Sequence, residues 1–386
     1  MVHLLIAIIY LAFISLGLPD ALLGAAWPVM AGEMGAGLSW AGIISAIISI
    51  GTVVSSLLSD RLTRKFGAGL VTAVSVLLTA GALLGFSVTK AFWVLCLVAV
   101  PYGLGAGAVD AALNNYVAVH YSSKYMNWLH CFWGLGASIG PYIMGWALGA
   151  GHGWRTGYGT VGVIQIVMTV LLFVTLPMWK KQMGEAEQEA QPVGLLGAVK
   201  IPGVKQLLLA FFCYCALEAT AFLWSSSFLV EFKDMDAEAA ANFAALFYLG
   251  LTAGRFFSGF IADRVGDENM IRTGSIGMVL GLVLIALPVK STLVSLIGLL
   301  VLGLGAAPVY PAIIHATPAH FGKENSQAIV GIQMACAYTG MTLAPPVFGV
   351  IAQYVTIGLF PWFMGVFLFG MFFLTEKVNQ ICTGNH

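Results

Sequence analysis

Three carboxylates stand inside long apolar stretches of the sequence, where they are the side chains best suited to carry protons or to bind a polar solute. They are Asp20, Asp110 and Glu218. A charge at the centre of a membrane-spanning helix costs at least ~2.5–3.5 kcal/mol, so such residues are mostly retained for function. We predict that all three are proton-coupling groups and that Asp20 and Glu218 also contact the solute. A structural carboxyl group, protonated or hydrogen-bonded, is the alternative.

Polar and aromatic side chains on other apolar stretches complete a predicted solute site of mixed character. Asp110 and Asn114 are four residues apart and share one face of a helix. Amides donate and accept hydrogen bonds, and aromatic rings suit the apolar face of a sugar-like solute. The predicted solute ligands are Asp20, Asn114, Asn115, His130, Trp133, Glu218, Trp224, Tyr310, His315, Gln333 and Tyr338. Polar contacts between helices are the alternative for the two asparagines, and plain packing for His130.

The composition indicates that these stretches lie in lipid. Of the 386 residues, 59% are hydrophobic and 9% are charged, and the mean hydropathy is +0.92. Soluble proteins have roughly 25% charged residues, and no soluble fold hides so much apolar surface. Twelve stretches reach the length of about 20 residues that a spanning helix needs. They lie near 4–30, 39–59, 68–88, 91–119, 127–149, 156–178, 204–230, 239–262, 270–289, 291–319, 325–352 and 357–375. The sequence therefore predicts an all-α membrane protein.

The basic residues between these stretches predict the orientation. With the N-terminus inside, twelve of them fall in internal loops and four in external loops. Short loops rich in Lys and Arg face the cytoplasm. We expect a multi-pass protein of the cell (cytoplasmic) membrane with both termini in the cytoplasm.

An internal repeat relates the two halves of the sequence. The fourth stretch contains GLGAGAVDAALNNYVAVHY from Gly103, and the tenth contains GLGAAPVYPAIIHATPAHF from Gly303, 200 residues later. An Asp-Arg dipeptide ends the second stretch at Asp60, and another ends the eighth stretch at Asp263. The two dipeptides are 203 residues apart. Similar motifs at nearly one spacing indicate two copies of a six-helix unit.

A polar segment at residues 179–202 separates these copies at the middle of the chain. We predict an N-terminal six-helix bundle at 1–178, a cytoplasmic linker at 179–202 and a C-terminal six-helix bundle at 203–386. Parallel repeats of this kind place the solute site where the repeats meet, near the bilayer midplane.

These features resemble the major facilitator superfamily. The signature of that family follows the second helix of each half: a Gly, then Asp-Arg, then a basic pair. The matching residues are Gly259, Asp263, Arg264 and Gly266 in the second half, and Asp60, Arg61, Arg64 and Lys65 in the first. In the first half, Ser56 and Thr63 stand where the family prefers glycine. The resemblance implies the MFS fold, two pseudo-symmetric bundles of 12 helices in all.

The same resemblance implies a gate that closes the cytoplasmic side and breaks when the halves rock. Its residues would be Asp60, Arg61, Arg64, Lys65, Arg255, Asp263 and Arg264. A carboxylate at a helix end can accept hydrogen bonds from arginine and from the N-terminus of a neighbouring helix. Charged anchors that snorkel to the membrane surface are the alternative interpretation.

Within the superfamily, the chain is similar to sugar porters of the fucose permease group. The similarity rests on Leu18-Pro19-Asp20 and on the run Leu129-His130-x-Phe132-Trp133-Gly134. That group pairs an acidic residue in helix one with another in helix four, which Asp20 and Asp110 match. That group commonly has an amide residue in helix five. In this sequence the helix-five residue most similar in type to an amide is His130. The resemblance implies a monomeric secondary transporter that works by alternating access, with proton-coupled symport of a sugar or related small polar solute.

Two other transport modes stay open, a proton-coupled drug or metabolite efflux antiporter and a sodium-coupled sugar symporter. An enzyme is not expected, because the sequence has no His-Glu-x-x-His, no Gly-x-Ser-x-Gly and no metal-ligand spacing. We accordingly predict no cofactor and no metal. The net charge of zero gives no sign of a nucleic-acid partner.

Overall fold

The computed structural model describes residues 2–37, 40–180, 194–235, 237–289 and 292–383, and these residues form helices without any strand. The first half has α1 (Val2–Gly17), α2 (Leu22–Met34), α3 (Ala41–Phe66), α4 (Ala68–Val88), α5 (Phe92–His120), α6 (Ser123–Gly149), α7 (Gly153–Val174) and α8 (Leu176–Lys180). The second half has α9 (Gly194–Lys200), α10 (Val204–Lys233), α11 (Ala237–Val265), α12 (Asp267–Ala286), α13 (Thr292–Ala306), α14 (Val309–Phe321), α15 (Lys323–Tyr354) and α16 (Phe360–Thr383). A single 3₁₀ turn at Ile357–Leu359 precedes α16.

The helices account for the twelve predicted membrane spans. Among the described residues, ten helical segments are long and apolar enough to cross a bilayer, and two of these segments combine α1 with α2 and α13 with α14. The helices α6 and α11, of 27 and 29 residues, supply the other two. The predicted all-α fold of 12 helices is confirmed.

The chain divides into two compact units, which we call the first unit and the second unit. The first consists of Met1–Tyr116 and Phe132–Pro192, and the second of Val117–Cys131 and Val193–His386. The end of α5 and the start of α6 thus belong to the second unit. Most of the predicted linker, 181–193, lies outside the described residues. In the described parts of the predicted linker, residues 179–180 end α8 and residues 194–200 form α9.

Two spans are interrupted by short non-helical segments that contain proline. In the first, residues 18–21 separate α1 from α2, and the amide of Asp20 donates to the carbonyl of Gly17 in a turn. In the other, residues 307–308 separate α13 from α14. Pro19 and Pro308 have no N–H to donate to a helical hydrogen bond, so each favours a break. The first break places Asp20 outside the regular helix.

The repeat seen in the sequence is also a repeated helix contact. Gly103 on α5 lies against the carbonyl oxygen of Ile48 on α3, and Gly303 on α13 lies against that of Phe247 on α11. A Cβ atom at either glycine would collide with backbone. Small residues at such positions allow close approach of helices in membranes. Each unit therefore brings together two equivalent helices through equivalent glycines.

Candidate functional site

A cavity of about 320 Å³ in the first unit is bordered by Asp20, and we call it the Asp20 cavity. Its polar lining comes from the break between α1 and α2, from α3, from α5 and from α7. The lining side chains with polar atoms are Asp20, Ser45, Ser49, Tyr102 and Tyr158. Phe86 supplies an aromatic ring. The volume lies in the range of small-molecule sites.

Tyr158 lines this cavity and carries a buried hydroxyl group without a hydrogen-bond partner among the described residues. Its side chain is 1% exposed. A buried hydroxyl without a partner costs free energy.

Trp133 is positioned on Asp20 by close packing of α6 against α1. The indole Nε1–H of Trp133 donates to Oδ2 of Asp20 at 2.9 Å. Gly136 lies against the carbonyl of Ile14, and Gly140 lies against that of Leu18. Because neither glycine has a side chain, the two backbones approach closely and Trp133 reaches the carboxylate. Two predicted solute ligands, Asp20 and Trp133, therefore lie together.

Asp110 and Asn114 form a second polar pair in the first unit, on α5. The amide nitrogen of Asn114 donates to Oδ1 of Asp110 at 2.7 Å and to its carbonyl oxygen at 3.0 Å. Asp110 also acts electrostatically on Asp20. Asn115 is half-buried, and its side-chain oxygen has no hydrogen-bond partner among the described residues.

The second unit holds a buried ion pair surrounded by aromatic rings. Oε2 of Glu218 on α10 is 3.5 Å from Nη2 of Arg255 on α11. The guanidinium of Arg255 lies 5.9 Å from the ring centroid of Tyr310. The ring of His130 meets Tyr310 edge-on, with 4.7 Å between centroids. Three predicted solute ligands, Glu218, His130 and Tyr310, are thus grouped around Arg255.

The other predicted solute ligands of the second unit make contacts between or within helices. Trp224 donates to the carbonyl of Pro345 at 2.9 Å, and Gln333 accepts from the hydroxyl of Thr317 at 3.1 Å. Tyr338 is half-buried on α15. The hydrogen bonds of Trp224 and Gln333 thus join helices of the second unit.

His315 on α14 faces two hydrogen-bond acceptors. Its Nδ1 is 2.6 Å from Oδ2 of Asp267, and its Nε2 is 3.0 Å from the carbonyl oxygen of Tyr121. Asp267 also accepts from the hydroxyl of Ser123 at 2.6 Å. A carbonyl and a carboxylate only accept, so both ring nitrogens donate and the imidazole carries a positive charge in this arrangement. His315 joins the start of α12 to the end of α5.

The predicted gating residues differ between the units. In the first unit, Nε of Arg64 donates to Oδ1 of Asp60 at 2.8 Å within α3, while Arg61 and Lys65 are exposed. In the second unit, Asp263 at the end of α11 accepts from the hydroxyl of Ser122 at 2.8 Å.

Asp263 also accepts from the backbone N–H of Lys124 at 3.0 Å, at the N-terminus of α6. A carboxylate is favoured at this end of a helix dipole. Arg264 is exposed beside it, and Arg255 is buried beside Glu218.

Most of the side chains that line the Asp20 cavity were not predicted from the sequence. Ser45 and Ser49 are four residues apart on α3, and this spacing was a readable signal of a polar helix face. Tyr102 and Tyr158 carried no such signal, because tyrosine is common in membrane helices near both surfaces. Only packing places these two side chains at the cavity.

Comparison with protein families identifies the class of protein to which the chain belongs. A sequence model of the Major Facilitator Superfamily matches residues 9–289 and, in an overlapping match, 207–378. The first match alone covers more than half of the chain. The chain belongs to the Major Facilitator Superfamily. It is therefore a multi-pass membrane protein and a secondary transporter of small solutes rather than an enzyme.

Individual relatives are distant and have different solutes. An uncharacterized MFS-type transporter of Yersinia pestis is 24% identical over 89% of this chain and 88% of its own length. The cis,cis-muconate transport protein of Acinetobacter baylyi is 24% identical over 83% of this chain and 80% of its own. Mouse sodium-dependent glucose transporter 1A is 24% identical over 78% of this chain and 79% of its own length.

Solved structures of the superfamily share the fold over nearly the whole chain. The transporter FucP in its outward conformation has a TM-score of 0.77 at 16% identity, covering 96% of this chain and 98% of that one. The proton:xylose symporter XylE has a TM-score of 0.80 at 13% identity, covering 97% and 95%. The human organic anion transporter MFSD10 has a TM-score of 0.77 at 17% identity, covering 96% and 98%. At these identities the similarity shows the fold alone.

Proposed function

We propose that the transporter is a proton-coupled symporter that imports a sugar or a related small polar solute across the cytoplasmic membrane. The observation that carries this proposal is the Asp20 cavity, a space of about 320 Å³ that is bordered by the carboxylate of Asp20 and by serine and tyrosine side chains. Hydroxyl groups of a sugar match both kinds of partner. Phe86 offers a ring face to the apolar side of the solute.

Asp20 has the surroundings that a proton carrier needs. It borders the cavity, and Asp110 lies close enough to act on it electrostatically. Two carboxylates in a medium of low dielectric constant repel each other strongly, and a proton on either one removes that repulsion. Binding of a proton therefore changes the hydrogen bonding that Asp20 offers to Trp133 and to a solute.

The contact of Asp263 with the N-terminus of α6 serves as a gate element in this proposal. It joins the Asp-Arg motif of α11 to the start of another helix through two hydrogen bonds. Such bonds can form in one conformation and break in the other without change to the helices themselves. Asp60, Arg61, Arg64, Lys65 and Arg264 belong to the same proposed gate.

The test is uptake into proteoliposomes that contain the purified protein. An inward proton gradient should drive accumulation of at least one neutral sugar or polyol from a panel, and Asp20→Asn should abolish accumulation while exchange of solute persists. Asp234→Asn is the matched control, because Asp234 lies in the loop after α10 with φ of 55°, a conformation that asparagine tolerates.

Tyr158→Phe removes only the hydroxyl group of a residue that lines the cavity. One hydrogen bond is worth ~1 kcal/mol, so KM should rise about fivefold. If uptake needs Na⁺ and stops when choline replaces Na⁺ at fixed pH, the coupling ion is sodium and not the proton. Proton-driven extrusion of lipophilic compounds, with no uptake of any sugar or polyol, would contradict the proposal in favour of efflux.

A further inference from the structure

An apolar groove of about 450 Å³ runs between α12 and α16 of the second unit. Its lining is apolar except for the hydroxyl of Ser275 and the indole of Trp362. The Ser275 hydroxyl donates to the carbonyl of Ile271 at 2.8 Å, so it is already used within α12. Polar groups that lie in such a groove without a partner lose free energy. The part of any ligand that lies between the two helices is therefore apolar.

At one end of the groove an ion pair joins the two helices. Arg272 on α12 and Glu376 on α16 form two hydrogen bonds, at 2.8 and 2.9 Å. Each of these residues is four positions from a lining residue, Ile276 or Phe372. They therefore extend the helix faces that line the groove. The charge of Arg272 is already balanced, so this end offers no free cation to a ligand.

At the opposite end a lysine has no acidic partner among the described residues. Nζ of Lys233, at the end of α10, donates to the carbonyl of Leu287 at 2.8 Å. Leu287 directly follows Ala286, which lines the groove. Nζ also lies 5.9 and 5.7 Å from the ring centroids of Phe228 and Phe232. An ammonium group has three N–H donors, and no described carboxylate acts on this one. The free charge and donors suit an anion at this end.

The length of the groove corresponds to one leaflet of a bilayer. Its lining on α12 runs from Ser275 to Ala286, a rise of about 17 Å at 1.5 Å per residue. The hydrocarbon core is ~30 Å thick, so one leaflet is about half of that. Trp362, which is 68% exposed, lies near the start of α16, and tryptophan is typical of the membrane surface. The predicted orientation places this end, with Lys233, in the outer leaflet.

We propose that the groove binds an anionic phospholipid of the outer leaflet, with an acyl chain between α12 and α16 and the phosphate on Lys233. Lipid tails are as apolar as the lining, so contact with the chain alone does not select a lipid. Selection comes from the ammonium group, a compact charge that suits phosphate. The site is separate from the Asp20 cavity, and the proposal does not depend on which solute is transported.

The first experiment tests the headgroup contact by native mass spectrometry of the detergent-purified protein. The probes are phosphatidylglycerol and phosphatidylcholine with the same acyl chains. The wild type should bind phosphatidylglycerol about fivefold more tightly, the effect of one lysine on an anionic lipid. Lys233→Gln should bind both lipids alike, and Lys233→Arg should keep the preference. Lys90→Gln, at an exposed lysine, is the matched control and should behave like wild type. An unchanged preference in Lys233→Gln, or none in the wild type, would overturn the proposal.

The second experiment fills the groove. A Cβ atom at Gly365, in the lining, meets no atom within 4 Å. Gly365→Leu therefore occupies the space of the acyl chain without a clash at its Cβ atom, and the variant should lose the bound phosphatidylglycerol. Gly81→Leu on α4 is the matched control, since a Cβ atom there also meets nothing within 4 Å. It should bind phosphatidylglycerol as the wild type does.

Two results of the second experiment would overturn the proposal. Wild-type binding of phosphatidylglycerol in Gly365→Leu would show that the lipid lies elsewhere. A wild-type dimer that carries no bound lipid and that Gly365→Leu dissociates would show that the groove binds a second copy of the chain. The mass spectra distinguish these results, because they report the number of chains and of lipids in each complex.

Discussion

At the scale of single residues, three intramembrane carboxylates with similar sequence surroundings have different partners. Asp20 borders a cavity and accepts from Trp133, Asp110 accepts from the amide of Asn114, and Glu218 faces a buried arginine. A carboxylate in a medium of low dielectric constant depends on such partners for its charge state. The three groups therefore have different parts in the proposed coupling.

Loss of the Trp133 indole N–H should weaken the coupling site. Trp133→Phe keeps the aromatic ring but removes the donor to Asp20, a hydrogen bond to a charged group worth ~1.5–3 kcal/mol. We expect the rate of proton-driven uptake in proteoliposomes to fall at least about tenfold. Trp93→Phe, at a side chain that is 66% exposed, serves as the control. A wild-type rate in Trp133→Phe would mean that this bond has no part in transport.

The charged ring of His315 should make the stability of the protein depend on pH. Asp267 and Asp263 face it, and the bond to the Tyr121 carbonyl needs the second ring proton. This stabilisation is present at low pH and is lost as the pH rises and the ring loses its proton.

The melting temperature of the detergent-purified protein should therefore fall as the pH rises above about 6.5, the ordinary pKa of a histidine. In His315→Gln this part of the pH dependence should disappear. The exposed His152→Gln should behave like wild type. If His315→Gln and wild type have parallel melting curves across this range, the ring is not charged in the folded protein.

At the scale of elements, prolines and glycines determine how the helices present their side chains. The break at residues 18–21 releases Asp20 from the regular helix, and the glycines of α6 bring Trp133 to it. In both units a glycine on one helix contacts the backbone of another, at Gly103 and at Gly303. Close backbone contacts of this kind replace the hydrophobic driving force that lipid removes.

Addition of a methyl group at these contacts should destabilise the fold. Gly103→Ala and Gly303→Ala each place a Cβ atom against a backbone carbonyl, and such overpacking costs typically ~1–3 kcal/mol. Gly81→Ala on α4 meets no atom within 4 Å and should be neutral or slightly stabilising. Thermal unfolding in detergent gives the melting temperatures that rank the three variants by stability. Equal melting temperatures would show that the helices move apart without cost.

At the scale of the whole molecule, the two repeats share a helix plan but differ in charge. The repeat offset of 200 residues places Tyr310 where the first half has Asp110, and the offset of 203 places Arg255 where it has Thr52. The first unit thus carries two acids and the second a balanced pair. The two units therefore share an architecture but carry different polar groups.

The bias of basic residues predicts an orientation that reporter fusions can measure. Green fluorescent protein fused after residue 386 should fluoresce, because that end is predicted to be cytoplasmic, and a fusion in the loop at Lys90 should be dark. Alkaline phosphatase at the same two positions should give the opposite result. Fluorescence at Lys90 together with a dark C-terminus would reverse the orientation.

The amino-acid sequence by itself determined that the chain lies in lipid, that it has twelve spans and that its halves repeat. These properties follow from the hydrophobicity of each stretch and from spacing along the chain, both of which are local or periodic. Only the tertiary structure decided which polar groups meet. Trp133 is 113 residues from Asp20, and Ser122 is 141 residues from Asp263. Because these partners are brought together by helix packing, no pattern along the chain identifies them.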